Sequence, residues 1–262
     1  MSERRVAFEK WEGLGNDFVI VEDDPDTWSD ARVAAVCDRH FGVGADGVLF
    51  VSADPPCMVV RNADGSRPEM CGNGIRCVAG YLAKGRHGSM VIQSDAGPKT
   101  CEVTGEDGRV EVSVGMGDVA TVGELVVTHD GRTTRFSCVD IGNPHAITFE
   151  PFGQGEIDTV GPTVATLPSG GTNVEFCRFV WDGADAPRVD VTVWERGVGR
   201  TLACGTGACA VAHAAIETGH FKEGEPLRVR LPGGDLFITI AGRAVTMRGP
   251  ARRVFRGELG AA

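Results

Sequence analysis

Short runs of alternating apolar and polar residues make up most of the chain, and turns that contain glycine separate them. Alternation with a period of two is typical of half-buried β-strands, so the runs RVAFEKWEG and DFVIVEDD near the start are predicted to be strands. Asp107-Gly108 and Asp130-Gly131 each stand between two alternating runs and predict two-residue hairpin turns. The pattern therefore indicates a protein that is rich in β-sheet.

Helical periodicity appears in three places. The segment SDARVAAVCDRHFG predicts a helix that begins near Ser29 or Asp30 and ends before Gly42. Two more helices are predicted by apolar residues at i, i+3, i+4 and i+7: Ile75, Val78, Ala79 and Leu82 in one, and Ala208, Val211, Ala212 and Ala215 in the other. Small residues nearly all round the last helix predict burial on every side. In contrast, ITFEPFGQGEIDTVGPTVATLPSGG is expected to be an irregular surface connection with a short helix.

One motif, a cysteine followed by a glycine-containing turn and a helix, occurs twice in the chain. The two copies are Cys71-Gly72-Asn73-Gly74 and Cys204-Gly205-Thr206-Gly207. After each helix the pattern predicts strand, turn, strand, turn and strand in the same order. Upstream, Gly15-Asn16 matches Gly142-Asn143, and the offset between the two cysteines aligns Asn62 with Glu195. We interpret the chain as an internal duplication.

The duplication predicts an α/β protein of the α+β type with two pseudo-symmetric halves. Residues 1–118, with 251–262 returning to them, form the expected N-terminal half, and residues 119–250 form the C-terminal half. Each half is expected to be a curved, mostly antiparallel sheet wrapped around a central helix, with the active site in the cleft between them. A chain of 262 residues is long enough for two such halves of about 130 residues each.

Composition narrows the classes of partner. A net charge of −10 and a pI near 5.1 argue against nucleic-acid and anionic-membrane partners. No apolar run approaches the ~20 residues of a membrane span, and MSERRVAFEKWEG lacks the apolar core of a signal peptide. We therefore expect a cytoplasmic protein. Lysine is scarce, with only Lys10, Lys84, Lys99 and Lys222, although a pyridoxal-phosphate enzyme needs a Schiff-base lysine.

Nine cysteines are many for a chain in a reducing compartment, where a disulfide framework is unexpected. None lies in a C-x-x-C pair, which excludes zinc-knuckle and thioredoxin-type motifs. Seven are expected to be small buried apolar residues: Cys37, Cys57, Cys77, Cys101, Cys138, Cys177 and Cys209. Cys71 and Cys204 differ, because each directly precedes a glycine-containing turn. We interpret this pair as functional.

A thiol at the start of a helix has a distinct chemistry. The helix N-terminus carries partial positive charge and unpaired N–H groups, which should raise the thiolate fraction above that of a free thiol with a pKa of ~8.5. The same N–H groups bind carboxylates. Two such termini could hold one carboxylate and place a thiol on each side of its α-carbon. One thiolate would then remove the α-proton while the opposite thiol donates one, which inverts the carbon.

Other polar residues near these motifs have two interpretations each. Four asparagines lie in loop-like contexts: Asn16, Asn62, Asn143 and Asn173. A single loop asparagine is usually a turn former, but four beside the repeated motifs favour a polar substrate. His145 is either an ordinary strand-edge residue or a group that tunes a nearby thiol. Glu195-Arg196 is either a solvated surface pair or an acid and a base that bind substrate.

Five blocks in order, spanning almost the entire chain, resemble the diaminopimelate epimerase family: GLGNDF, RNADGSRPEMCGNGIRC, DIGNPHAITF, GTNVEFC and VWERGVGRTLACGTGACA. The resemblance implies a pyridoxal-independent isomerase that interconverts L,L- and meso-2,6-diaminopimelate in the lysine and peptidoglycan pathway. It implies no cofactor and no metal, a small-molecule substrate and a homodimer.

The resemblance also implies a role for each candidate residue. The catalytic thiols are Cys71 and Cys204. The turns whose N–H groups hold the reacting carboxylate are Gly72-Asn73 and Gly205-Thr206. The rest of the substrate is bound by Asn16, Asn62, Asn143, Asn173, Glu195 and Arg196. Of these, Glu195 is expected at the distal ammonium and Arg196 at the distal carboxylate, while His145 and Glu195 tune the thiols.

The chain departs from the family pattern at two positions. Gly47 stands where some members have a glutamine after the aspartate of the GxGxD block, so that contact is absent. Phe255 stands where the family dimer often uses a tyrosine, so the hydroxyl contact is absent too.

Two rival hypotheses remain at the level of sequence. A related isomerase of the proline racemase or phenazine-pathway type would keep the fold and change the substrate, although such enzymes lack the NADGS block and the ERG pair. A non-catalytic redox-sensing or metal-binding thiol protein would use the paired cysteines differently, for example as a reversible disulfide.

Overall fold

The computed structural model of the chain describes residues 5–181, 183 and 187–260. Its elements in chain order are β1 (Val6–Gly13), β2 (Asn16–Val21), a short 3-10 helix (Pro25–Thr27), α1 (Asp30–Cys37), β3 (Gly47–Ala53), β4 (Pro56–Asn62), α2 (Gly72–Ala83), β5 (Gly88–Ile92), β6 (Lys99–Glu106), β7 (Arg109–Asp118), β8 (Ala120–His129), β9 (Arg132–Asp140), β10 (Pro144–Thr148), α3 (Gln154–Thr166), β11 (Asn173–Val180), β12 (Arg188–Glu195), β13 (Gly199–Arg200), α4 (Gly205–Glu217), β14 (Leu227–Leu231), β15 (Gly234–Ala241) and β16 (Ala244–Leu259). The protein is a mixed α+β structure dominated by sheet.

Two compact units account for the chain. One consists of Met1–Val114 with Gly249–Ala262, and the other of Gly115–Arg248. The bounds expected from the sequence, 1–118 with 251–262 and 119–250, differ from these by a few residues at each crossing. The chain passes from one unit to the other inside β7 and inside β16. The alternation of apolar and polar residues continues through both points, so the sequence does not mark the unit boundary there.

The first unit has the strand order β4-β3-β2-β1-β16. Only β2 and β3 run parallel in this series, and the other neighbours are antiparallel. β2 and β3 are buried along most of their length because both faces are covered. On one face, Val19, Val21 and Phe50 pack with Val33 of α1; on the other face, α2 contacts each of the strands β1 to β6.

The second unit has the strand order β8-β9-β10-β11-β12-β14-β15-β16. β10 runs parallel to β11, and β12 parallel to β14, while the remaining neighbours are antiparallel. Val174 and Phe176 of β11 face α3, where they pack with Ile157 and Val160. α4 contacts β9, β10, β11, β14 and β15. Because side chains alternate along a strand, Glu175 projects to the opposite face from Val174 and Phe176.

The two hairpin predictions and the predicted burial of the last helix are confirmed. β6 and β7 are joined at Asp107-Gly108, and β8 and β9 at Asp130-Gly131, with both glycines at positive φ. α4 is buried along nearly its whole length, as its small residues predicted. A strand, turn, strand, turn and strand follow both α2 and α4.

Two helices differ in length from prediction. α1 begins at Asp30 and ends before Gly42, as predicted, but it already stops at Cys37 because the Asp38 carboxylate accepts hydrogen bonds from the N–H groups of His40 and Phe41 in a turn. The segment predicted to be irregular contains α3, a helix of 13 residues. Its first turn is held by Glu156, whose carboxylate accepts the Gly153 N–H at 2.5 Å. Packing against β11 and β12 overrides the weak helical pattern.

The cysteines other than Cys71 and Cys204 follow their predicted burial with two exceptions. Cys37, Cys77, Cys101, Cys177 and Cys209 are buried, whereas Cys57 and Cys138 are partly exposed. None of the helices in the described part of the chain combines the length and apolar character needed to cross a membrane.

Candidate active site

The two repeated cysteines adopt the same local structure. Cys71 is the N-cap of α2 and Cys204 the N-cap of α4, both in extended conformation. Each Sγ accepts an N–H from three residues later, Gly74 for Cys71 and Gly207 for Cys204, at 3.3 Å in both cases. Each thiol therefore lies at the positive end of its helix.

Both helices open with a glycine followed by a polar residue. Gly72 and Asn73 begin α2, and Gly205 and Thr206 begin α4. The first N–H groups of a helix have no acceptor within the helix, and together with the dipole they form a site for an anion. The arrangement suits a carboxylate.

In the first unit, Asn16 connects the sheet to the thiol. Its Oδ1 accepts a hydrogen bond from Asn73 Nδ2 at 3.1 Å and lies 3.9 Å from Cys71 Sγ. Its Nδ2 donates to Asp46 Oδ2 at 2.7 Å, and Asp46 is in turn paired with Arg39 at 2.7 Å. The amide is thus held at both ends, beside the start of α2.

Asn62 lies at the same end of this sheet. It is the last residue of β4 and pairs with Gly47, which pairs with Phe18 of β2. Its Nδ2 donates to Ser66 Oγ at 2.9 Å, and the side chain is exposed. A Cβ at Gly47 would lie 2.6 Å from the Arg61 carbonyl oxygen, so the backbone would have to shift before a side chain could occupy this position.

In the second unit, a chain of hydrogen bonds leads to the other thiol. His145 Nε2 lies 3.1 Å from Asn143 Oδ1, and Asn143 Nδ2 donates to Thr206 Oγ1 at 3.3 Å. Thr206 Oγ1 lies 3.6 Å from Cys204 Sγ. The fold thus brings together four of the residues singled out in the sequence.

The remaining predicted residues lie at the start of β11 and the end of β12. Asn173 Oδ1 accepts the backbone N–H of Arg196 at 3.0 Å. Glu195 Oε1 accepts the Thr201 hydroxyl at 2.5 Å. The Arg196 guanidinium donates to the Gly170 carbonyl at 2.7 Å and is exposed. These contacts fix Glu195 and leave the cation of Arg196 at the surface.

A surface cavity of about 590 Å³ opens beside Arg196. Its walls are the end of α3 with the loop that follows, and Trp194, Arg196 and Gly197. A cavity of this size is in the range of small-molecule sites. Arg196 is the charged side chain available there for an anionic group.

The electrostatics of the second thiol contradict one expectation. Burial, followed by the carboxylates of Glu195 and Glu175, raises the pKa of Cys204 well above its usual value. The Thr206 hydroxyl and the Gly207 N–H oppose this shift without reversing it. The prediction that both thiols ionise readily at their helix ends is therefore wrong for Cys204, because desolvation and negative charge outweigh the helix terminus.

Three further residues act on the site and were missed in the sequence. Asp46 holds Asn16, Thr201 holds Glu195, and Glu175 lies against His145 at 2.7 Å. Asp46 and Thr201 lie in polar loops, where nothing in the sequence distinguishes them from other loop residues. Glu175 could have been found from the sequence, since it is a carboxylate within the apolar run NVEFC.

Metal-ligating side chains do not cluster in the described part of the chain: no group of three or more His, Cys, Asp or Glu residues is placed to hold an ion. Lys10, a buried lysine, forms an ion pair with Asp17 at 2.6 Å, so its ammonium has a structural partner.

Comparison with known proteins identifies the family. Residues 8–122 and 137–254 match the family described as diaminopimelate epimerase. Diaminopimelate epimerases of Nostoc punctiforme and Synechocystis are 39% and 40% identical, covering 97% of this chain and 99% and 98% of the relatives.

Among solved structures, a hydroxyproline epimerase from Agrobacterium vitis aligns with a TM-score of 0.72 and 16% identity, over 99% of this chain and 92% of that one. At this identity the likeness shows a common fold and does not extend to the substrate. Sequence identity near 40% over the full length is decisive for the family. The chain belongs to the diaminopimelate epimerase family and is therefore an isomerase.

Proposed function

We propose that this protein interconverts L,L- and meso-2,6-diaminopimelate by moving the α-proton between the thiols of Cys71 and Cys204. The observation that carries this proposal is the matched N-cap geometry, with a sulfur accepting an N–H at 3.3 Å at the start of both α2 and α4. Membership of the family supplies the substrate.

The proton transfers follow from the two thiols. A thiolate at Cys71 takes the α-proton and becomes a thiol, leaving the electron pair on the α-carbon. The Cys204 thiol delivers its proton to the opposite face and becomes a thiolate. The product has inverted configuration, and the reverse reaction exchanges the roles. Burial and the nearby carboxylates favour the protonated form of Cys204, so it is the acid when the cycle starts in this direction.

The binding roles belong to the same proposal. In it, the reacting carboxylate accepts hydrogen bonds from the N–H groups of Gly72-Asn73 and Gly205-Thr206, and the helix dipoles stabilise the negative charge that develops in the transition state. The other contacts to the substrate come from Asn16, Asn62, Asn143, Asn173, Glu195 and Arg196. Arg196, which is among the residues that line the cavity, binds the distal carboxylate, and Glu195 the distal ammonium. His145 and Glu195 tune the thiols.

The setting of the enzyme is part of the proposal. All nine cysteines are free thiols, which suits a reducing compartment such as the cytoplasm. The net charge of −10 disfavours anionic macromolecules, and the partner in this proposal is diaminopimelate, without a cofactor.

A homodimer completes the proposal. On β16, Val254 is 51% exposed and Phe255 45% exposed, and the Phe255 ring packs edge-on against Phe8 with 5.8 Å between centroids. Sedimentation velocity should show a dimer that Phe255→Glu converts to monomer. Val122→Glu, which alters an exposed valine of β8, is the matched control. A monomeric wild-type protein would contradict the dimer.

The reaction itself is tested with L,L-diaminopimelate in D2O, with reductant and chelator present. We expect α-deuterium incorporation and inversion that need neither metal nor pyridoxal phosphate. Cys71→Ala and Cys204→Ala should abolish epimerisation with the fold retained. Turnover of proline without exchange of diaminopimelate would assign the protein to the related racemases, and near-normal turnover in either variant would exclude the two-thiol mechanism.

A further inference from the structure

Glu175 of β11 is a buried carboxylate whose hydrogen bonds do not account for its burial. Its side chain has no exposed surface. One oxygen lies 2.7 Å from His145 Nδ1, while the other is buried and has no hydrogen-bond partner among the described residues. Burying a charged group is costly, and leaving one of its oxygens unsatisfied adds to the cost. A carboxylate retained under these conditions points to function.

Two routes connect Glu175 to Cys204. The first runs through side chains: His145, Asn143 and Thr206 lie in series between Glu175 and the thiol, with contacts of 2.7 to 3.6 Å. The second is direct proximity to the start of α4. A Cβ on Gly207, whose N–H is donated to Cys204 Sγ, would lie 2.6 Å from Glu175 Oε1.

His145 is oriented by this arrangement. Its Nδ1 faces the Glu175 carboxylate and its Nε2 faces Asn143 Oδ1. Both partners are oxygen atoms, so the ring is held at its two nitrogens. The ring is almost fully buried, and Glu175 fixes its orientation from β11.

The first unit has the same framework with apolar residues in these places. In its parallel pair, Phe18 lies opposite Gly47 and Ile20 opposite Leu49. In the second unit, His145 lies opposite Asn173 and Ile147 opposite Glu175. Phe18 and Leu49 therefore correspond to His145 and Glu175.

The glycine contacts support the correspondence. A Cβ on Gly74 would meet Leu49 Cδ2 at 3.2 Å, just as one on Gly207 would meet Glu175. The pair of His145 and Glu175 is thus found only in the second of the two equivalent units, and packing alone does not require it.

We propose that Glu175 is a positioning residue of the active site: its buried carboxylate fixes His145 and keeps the proton on Cys204, which distinguishes this thiol from Cys71. The proposal rests on the function assigned above and adds a residue to it. The physical reason is that a carboxylate in a low-dielectric site disfavours a second negative charge nearby. The groups that act on Cys204 are Glu175, Glu195, the Thr206 hydroxyl and the Gly207 N–H.

Two variants separate the charge of Glu175 from its shape. Glu175→Gln keeps an acceptor for His145 Nδ1 and removes the charge. The double variant His145→Phe, Glu175→Leu installs the pair found in the first unit, which packs without a buried polar group. Glu150→Gln is the control, since it makes the same chemical change at a carboxylate that accepts hydrogen bonds from the Arg132 guanidinium and the Arg135 backbone N–H.

The first measurement needs no substrate. The protein is alkylated with iodoacetamide over a series of pH values, and the rate at each cysteine is read by peptide mass spectrometry. We expect the midpoint for Cys204 to move to lower pH in Glu175→Gln and in the double variant, with Cys71 as the unchanged internal reference. An unchanged Cys204 midpoint in both folded variants, or an equal shift in Glu150→Gln, would overturn the proposal.

The second measurement is the pH profile of epimerisation. In Glu175→Gln we expect kcat to fall by about tenfold or more, KM to change little, and the high-pH limb of the kcat profile to move to lower pH, because that limb reports the acid. A uniform loss without movement of the limb would indicate a merely structural role. A wild-type protein that does not epimerise would refute the function while leaving the alkylation result intact.

Discussion

In the proposed mechanism Cys71 and Cys204 each serve two purposes, since the sulfur that would transfer the proton also caps the helix that follows it. Capping residues are usually Ser, Thr, Asp or Asn, whose oxygen accepts an N–H two or three residues later. Sulfur is a weaker acceptor, so the chain gives up some helix stability to place a thiol here.

Substitution at Cys71 should separate these two purposes. Cys71→Ser and Cys71→Ala are both expected to be inactive, because neither provides a thiolate. Serine restores an oxygen cap for Gly74 and alanine removes the cap, so the serine variant should be more stable by about 0.5–2 kcal/mol. Urea unfolding of both variants measures the difference, and an alanine variant as stable as the serine one would show that the Cys71–Gly74 contact contributes nothing.

Functional residues that lie in a recognisable local sequence pattern could be predicted. Contacts that depend on how strands pair could not. Cys71 and Cys204 each stand next to a turn and an apolar period that the sequence displays directly. Asp46 and Glu175 meet Asn16 and His145 across separations of 30 residues in both cases. Those contacts depend on the register of a parallel strand pair, which periodicity does not encode.

At the scale of the element, α3 shows how packing overrides local preference. Gly155, Gly161 and Pro162 lie within it, and each lowers helix propensity, yet the helix is longer than the short one predicted within an irregular connection. Gly161 has a tertiary reason. A Cβ there would lie 2.9 Å from the ring of Trp194, so glycine lets the helix approach β12 directly before Glu195.

The two glycines of α3 should respond in opposite ways to alanine. Gly161→Ala is expected to destabilise the protein by about 1–3 kcal/mol through overpacking and to lower activity by displacing Trp194. Gly155→Ala, with nothing within 4 Å of the new Cβ, should stabilise by up to about 1 kcal/mol. Thermal unfolding and epimerase assays of the pair make the comparison, and equal effects at the two sites would refute the close-approach argument.

At the scale of the whole molecule, buried thiols link stability to pH. Burial raises the pKa of Cys101 from 9.0 to about 12 and that of Cys37 to about 11. The folded state therefore holds these protons more tightly than the unfolded chain. Stability is fully present below the unfolded pKa near 9 and falls as pH rises from there toward the folded values.

We expect the denaturant midpoint of unfolding to stay level to about pH 9 and then to decline. At pH 10.5 the proton on Cys101 should account for a loss of stability on the order of 1–2 kcal/mol. Cys101→Ala should be less stable at neutral pH because of the cavity. Its slope above pH 9 should nevertheless be shallower. Parallel slopes for the two proteins would show that Cys101 does not titrate in this window.

The order of elements in the two halves was also predictable, because a duplication repeats its turns and periods. What the repeat could not reveal is the difference in charge between equivalent positions. Phe18 and Leu49 stand where His145 and Glu175 stand, and the matched cysteine motifs give no sign of it. Two units with the same order of elements thus surround their cysteines with different electrostatic environments.

The capping role of the Cys71 sulfur has a practical consequence for the search for inhibitors. A reagent that attaches carbon to Cys71 Sγ replaces the acceptor of the Gly74 N–H with a bulkier and poorer one. Reversible ligands raise the melting temperature by mass action, whereas covalent labelling at this position is expected to lower it. The direction of a thermal shift would therefore distinguish covalent from reversible hits in one plate, before any turnover assay is available.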